Sequence, residues 1–216
     1  MHESDGIVLR LSDRRWLNWA RRIAALAQNG LEYGEGIFDR VRYEELQRIA
    51  AEMLASGGSA DPDDLLEMLR AESGYATPKV DVRGVVFRDD RILLVREAED
   101  GLWSLPGGWA DAGESPREAI EKEIREESGF ETEAVKLLAV LDRDRHGVPP
   151  LLWPVYKIFI RCEIEGGEAA ESIETTGVGF FREDELPGMS ESRTTADQVR
   201  RMFEHLRDPQ RLTDFD

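Results

Sequence analysis

Three glutamates, Glu123, Glu126 and Glu127, fall within a span of five residues. They lie in the stretch 107–130, Gly-Gly-Trp-Ala-Asp-Ala-Gly-Glu-Ser-Pro-Arg-Glu-Ala-Ile-Glu-Lys-Glu-Ile-Arg-Glu-Glu-Ser-Gly-Phe, which reads as a loop, a helix and a helix stop. Ser115 is placed to cap the helix, Pro116 suits its first position, and Glu118 completes a capping box. Gly129 suits the left-handed residue that ends it. At about 100° per residue the three acids share an arc of roughly 100°. Ile120 and Ile124 flank that arc, so the acids are expected to border the buried stripe. Like charges at this spacing destabilise a helix by roughly a few tenths of a kcal/mol per pair. Glu126 and Glu127 also sit at the end of the helix dipole that disfavours anions. A helix carrying these costs is expected to bind a cation there. Clustered carboxylate oxygens suit a hard divalent ion, Mg2+ or Mn2+.

Composition narrows what else the chain can be. Its 216 residues allow one large domain or two small ones, and 28 basic against 45 acidic residues give a formal charge of -17. That balance disfavours bulk binding to nucleic acid or an anionic membrane. It also obliges local arginines and metal ions to receive any anionic substrate. The single cysteine, Cys162, excludes an internal disulfide and reads as a buried thiol, and three scattered histidines offer no zinc site. The first residues lack the basic and apolar regions of a signal peptide, and no apolar run is long enough to span a bilayer. A cytoplasmic protein is the expectation.

The elements that must position the acids fall into two regimes. Helical spacing of Trp16, Ala20, Ile23 and Ala27 predicts a helix over 12–29 stopped by Gly30, with Arg10, Arg14, Arg15, Arg21 and Arg22 as a solvated basic face. A second helix runs from a cap at Asp39 to about Ala55, burying Leu46, Ile49, Ala50, Met53 and Leu54. After the flexible Ser56-Gly57-Gly58-Ser59, Asp61-Pro62 starts a third helix that ends near Glu72. Residues 1–76 thus form a small all-helical domain whose wide apolar stripes call for a partner surface.

Residues 77–216 form the second domain. Strands are predicted at 80–87 and 91–96 about a turn at Asp89-Asp90, and Leu102-Trp103-Ser104-Leu105 leads into Pro106-Gly107-Gly108. Beyond the acidic helix, strands are predicted at 133–141 and 153–163 about a polar loop at 143–150. A Gly- and Glu-rich loop at 165–176 precedes a strand at 178–181. A helical turn near 184–187 follows, then a helix capped by Thr194 or Thr195 and running to about Leu206.

Residues 108–130 resemble the signature of the Nudix hydrolases: Gly, five residues, Glu, seven residues, Arg-Glu, an aliphatic residue, any residue, Glu-Glu, any residue, Gly, and an apolar residue. Here it reads Gly108, Glu114, Lys122-Glu123, Ile124, Arg125, Glu126-Glu127, Ser128, Gly129, Phe130. Lys122 stands where the family has Arg; it keeps the charge, loses the planar fork, and has Glu126 within i+4 reach. The leader, with Trp19-Ala20, Leu26-Ala27-Gln28-Asn29-Gly30-Leu31, Phe38-Asp39-Arg40 and Tyr43-Glu44-Glu45-Leu46, resembles the helical extension of a bacterial Nudix subgroup. That subgroup includes CDP-choline and ADP-ribose pyrophosphatase-like enzymes, commonly dimeric.

The resemblance implies an α/β fold, the Nudix α/β/α sandwich with a mixed sheet, preceded by the helical domain, and a homodimer. It implies Mg2+ or Mn2+ held by Glu123 and Glu127, by Glu126 directly or through water, and by the carbonyl of Gly107. The implied reaction is hydrolysis of a nucleoside diphosphate linked to a group X, giving nucleoside monophosphate and phospho-X, with ADP-ribose and CDP-choline leading. Sanitation of oxidised nucleoside triphosphates and non-catalytic nucleotide sensing are the alternatives. The general base lies in the box or in a later loop; Glu174 is the candidate, with Glu171 and Glu168 behind it. Arg83 and Arg96 alternate onto inner strand faces where an arginine can steady phosphate oxygens. Trp103, Trp109 and Trp153 offer stacking surfaces for a base, Trp103 first.

Overall fold

The computed structural model describes residues 15–57, 60–148 and 151–216. Expectations for Arg10, Arg14, residues 12–14, Gly58-Ser59 and residues 149–150 lie outside them. Contacts divide the chain into two compact units, Met1–Thr77 and Pro78–Asp216.

In the first unit α1 (Arg15–Tyr33), α2 (Ile37–Ala55) and α3 (Pro62–Ala71) follow one another. Gly30 does not stop α1. A side chain there would overlap the Tyr43 ring, so the glycine instead lets α1 close on α2. The chain leaves the helix four residues later, where the Gly34 N–H still reaches the Gly30 carbonyl at 2.8 Å. The cap of α2 is Gly36, and Asp39 lies inside the first turn, bonded to Arg42 at 2.6 Å. The buried stripe of α2 is Gln47, Ala50, Ala51 and Leu54, while Ile49 faces outward. Ala50 and Ala51 are buried on it, whereas the larger Leu46 is half-buried. Asp61 caps α3 as its sequence requires, accepting from the Asp63 N–H.

The second unit is built on a seven-stranded mixed sheet. Its strands are β1 (Lys79–Arg88), β2 (Arg91–Glu97), β3 (Trp103–Ser104), β4 (Phe130–Asp142), β5 (Val155–Gly167), β6 (Thr175–Phe181) and β7 (Asp214–Phe215). The order is β3-β2-β1-β5-β4-β7, and β6 pairs with β2. β1 runs parallel to β5, β7 runs parallel to β4, and the other pairs are antiparallel. Alternation along β1 sends Val82 and Val86 toward Ala119, Ile120 and Ile124 of α4 (Pro116–Ser128). Val85 and Phe87 point the other way, toward Val199, Met202 and Phe203 of α5 (Ala196–Arg207). The result is the expected α/β/α sandwich, with one apolar core on each face of the sheet.

β4 and β6 each begin three residues before periodicity predicts, and β7 has no predicted counterpart. Gly129, left-handed at φ 79°, turns the chain straight from α4 into β4, so pairing with β5 already begins at Phe130 opposite Gly167. β6 likewise starts at Thr175, which leaves only residues 168–174 as the intervening loop. β7 is two residues long and gives no periodic signal; its pairing depends on Asp214 being tied to Arg201 and His205 of α5.

Candidate active site

The site begins with a glycine pair laid against β1. The Gly84 N–H donates to the Pro106 carbonyl at 2.8 Å, Val82 to Gly108 at 2.8 Å, and Ala110 donates back to Val80 at 3.0 Å. Residues 106–110 therefore lie beside β1 as an irregular extra strand. Gly107 adopts φ 137°, and a side chain on it would overlap the Val82 carbonyl oxygen, so glycine is required there. Its N–H donates to Glu127 Oε2 at 2.8 Å. Gly108 makes room for the next acid up the helix: a Cβ built there would stand 3.2 Å from Glu123 Oε2. The full capping box at Ser115 and Glu118 fixes where α4 starts, and so which of its faces meets the glycines.

The three box acids have different surroundings. Glu127 is buried and its carboxyl is pushed up to about 8. Burial is the main cause, Arg83 and the Gly107 N–H oppose it, and Glu97 and Glu123 add to it. Glu123 is half-buried and also raised, by burial first; Lys122 opposes the rise and repulsion from Glu126 adds to it, with Arg83 and Glu174 further contributing in opposite senses. Glu126 is exposed, with Arg125 at 3.9 Å as its ion-pair partner, so it does not border the buried stripe as the arc of residues suggests. Among the described residues no three His, Cys, Asp or Glu side chains stand close enough to cage an ion by themselves. The donor chemistry nevertheless fits a hard divalent cation: Glu123 and Glu127 repel one another across the glycine cradle, and each lacks a salt-bridge partner among those described.

The remaining predicted site residues are spread over several elements. Glu174 is exposed in the loop before β6 and sits within electrostatic reach of Glu123. Its carbonyl accepts from Ala98 N–H at 2.8 Å, and its neighbour Thr175 donates through Oγ1 to the Glu127 carbonyl at 2.7 Å, tying this loop to the end of α4. Glu171 and Glu168 are exposed on the same loop. Arg83 is buried, with Nε and Nη2 on the two oxygens of Asp81 at 2.8 Å each and Nη1 on the Leu105 carbonyl at 3.1 Å. Arg96 is exposed and donates to the Gly101 carbonyl at 2.8 Å. Trp103 packs edge-on against Phe181 with ring centroids 4.7 Å apart, and its backbone is held by Gly188 and Ser190. Trp109 is half-exposed beside Gly108, and the Lys79 ammonium stands 5.7 Å over the Trp153 ring.

Lys122 does not pair with Glu126. Its ammonium bonds Asp111 at 2.9 Å and Glu114 at 3.0 Å, closing the loop ahead of α4. Sequence reasoning passed over Asp81, Glu97 and Lys157, all buried. Asp81 shares a strand face with Arg83, and Lys157 interrupts an apolar run opposite Asp81 in register; a charge inside a strand flanked by β-branched residues was the available signal. Burial and the neighbouring Arg83 push the Lys157 amine down to about 7, against the pull of Asp81.

Comparison with known proteins agrees with this architecture. Residues 14–69 match the family model of a UDP-X-like, N-terminal oligomerisation domain of Nudix proteins, and residues 77–205 match the NUDIX domain. The Bacillus subtilis protein YjhB, provisionally named an ADP-ribose pyrophosphatase, is 48% identical over 202 residues, 94% of this chain and 97% of its own. The crystal structure of a UDP-X diphosphatase is similar at a TM-score of 0.61 and 35% identity, over 94% of this chain and 98% of that one. An ADP-ribose pyrophosphatase of Streptococcus suis is similar at 0.60 and 42% identity, over 65% of this chain and all (100%) of that one. Among the described residues no helix is long and apolar enough to cross a membrane. Placed by its glycine cradle, its acidic helix and these relatives, the chain belongs to the Nudix hydrolases and is a pyrophosphohydrolase acting on phosphorus-containing anhydrides.

Proposed function

We propose that the protein hydrolyses the diphosphate of a nucleoside diphosphate linked to X, giving nucleoside monophosphate and phospho-X. The observation that carries this is the placement of Glu127 and Glu123 on the Gly107–Gly108 cradle, with the charge of Glu123 adding to the raised proton affinity of Glu127. A bound Mg2+ or Mn2+ supplies charge neutralisation on the diphosphate and acidifies the attacking water. Glu123, Glu127 and the Gly107 carbonyl are the groups that would hold it, with Glu126 joining directly or through water. Glu174, solvent-facing and within the field of Glu123, takes the proton from water. Arg96 and Trp103 border the substrate side. The relatives' names favour ADP-ribose and UDP-linked substrates; CDP-choline rests on the resemblance of the helical leader alone.

The helical unit, residues 1–76, serves dimerisation, and residues 77–216 carry the chemistry. Support comes from the matched oligomerisation model and from exposed Ile37, Phe38 and Val41 on α2.

The deciding experiment incubates the protein with ADP-ribose, UDP-sugars, CDP-choline and nucleoside triphosphates, with Mg2+, Mn2+ or EDTA, and identifies products by phosphorus NMR. Metal-dependent nucleoside monophosphate and phospho-X are expected. Pyrophosphate released from triphosphates alone would move the assignment to sanitation, and no turnover of any would leave a sensor.

A further inference from the structure

A closed ring of polar groups lies beside the glycine cradle, and no step of the proposed chemistry uses it. Lys157 Nζ donates to the Arg193 carbonyl and stands 3.5 Å from Asp81 Oδ1. Asp81 receives both forked donors of Arg83, and Arg83 Nη1 reaches the Leu105 carbonyl at 3.1 Å. The residue before Leu105, Ser104, donates to Glu97 Oε1 at 2.5 Å, and Glu97 Oε2 meets Arg193 Nε at 3.3 Å, which returns to the start. Lys157, Arg83, Asp81, Glu97 and Ser104 are all buried. Buried ion groups of this kind do not on balance out-stabilise apolar residues of the same volume. Stability alone therefore gives no reason for the ring.

Its position gives one. Leu105 lies two residues before Gly107, whose N–H holds Glu127. Arg83 is thus the ring member that grips the backbone entering the cradle, and Asp81 fixes the plane of its guanidinium.

We infer that the Asp81–Arg83 fork, braced by Lys157, is a positioning device that sets the Leu105–Gly107 backbone for metal binding, and that Arg83 acts through the Leu105 carbonyl rather than on phosphate. The inference rests on the proposed metal-dependent hydrolysis. A lysine at position 83 keeps the charge but cannot hold both Asp81 oxygens and the carbonyl.

The test measures Mn2+ binding to the full chain by calorimetry, beside kcat, KM and circular dichroism, for Arg83→Lys and Asp81→Asn. Both variants are expected to fold, to bind Mn2+ about 10- to 100-fold more weakly, as loss of groups orienting metal ligands does, and to lose kcat with KM little changed. Asp81→Asn keeps the side-chain shape and carries the test if Arg83→Lys fails to fold. Unchanged Mn2+ binding in a folded variant, or a rise in KM alone, overturns the inference. A wild-type chain that binds no Mn2+ overturns the metal-dependent reading and this one with it.

Discussion

Replacing Glu127 by glutamine separates what the carboxylate does for folding from what it does for turnover. In the metal-free protein this carboxyl holds its proton up to about pH 8, against an ordinary value of 4.5. Folding therefore takes up a proton between those two values. Stability of the wild type falls as pH rises through that window, by about 1.4 kcal/mol per pH unit at most. The ceiling on the loss is about 5 kcal/mol above pH 8, and it vanishes below 4.5. The glutamine amide would have the same shape, keep an acceptor for the Gly107 N–H, and carry no charge to bury.

In EDTA, Glu127→Gln is expected to match the wild type near pH 4 and to exceed it increasingly up to pH 8.5, by urea denaturation. Added Mn2+ should then narrow the gap by stabilising only the wild type, since ligand bound to the folded state adds to its stability. Turnover in the variant should be lost under all conditions. Parallel stability curves in EDTA would refute the reasoning, because the carboxylate would then not be buried without a cation.

Gly107→Ala places a side chain on the Val82 carbonyl and forces a non-glycine residue to φ 137°; a loss of about 1–3 kcal/mol in urea unfolding from backbone strain alone and collapse of kcat are expected. Glu174→Gln, at an exposed position, should leave unfolding unchanged while kcat drops about 10²- to 10⁴-fold, the range for a lost general base; an unchanged pH–rate profile would move that role to another acid. Lys122→Met frees both Asp111 and Glu114 and should lower kcat more than Asp111→Asn does, with the loop at 111–114 becoming the first site of limited proteolysis. Phe38→Glu with Val41→Glu should convert a dimer to a monomer in light scattering at micromolar concentration, and a wild type already monomeric there would remove the assembly proposal.

Local rules were enough to place the helix that carries the acids. Ser115, Pro116, Glu118 and Gly129 act through hydrogen bonds and dihedral limits that span only a few residues, and each does in the fold what its type requires. The same is true of Asp61-Pro62 and of Thr195, which caps α5. Gly30 and Asp39 show where such rules stop. Gly30 has the composition of a helix stop, yet its use is steric and depends on Tyr43, thirteen residues away and on another helix. α2 starts at Gly36, which makes no side-chain cap bond, and not at Asp39, whose type suits a cap.

The sequence pattern also groups Glu123, Glu126 and Glu127 on one arc but cannot grade their burial, because that grading comes from what lies opposite. Gly107 and Gly108 cover the first and last of the three, while Glu126 stays exposed. Arg83 shows the same limit from the other side. Alternation places it on an inner face, which is correct, but an inner arginine needs an anion, and the nearest is Asp81 on its own strand. For a chain of formal charge -17 that outcome follows from electrostatics. Lys157 opposite Asp81, Arg193 beside Glu97 and Lys122 between Asp111 and Glu114 are all internally matched, so positive charge is consumed in holding the site's own backbone. On the proposed function, what remains to attract a diphosphate is exposed Arg96 and the metal the glutamates would gather, which would tie substrate affinity, and not only rate, to divalent cation concentration.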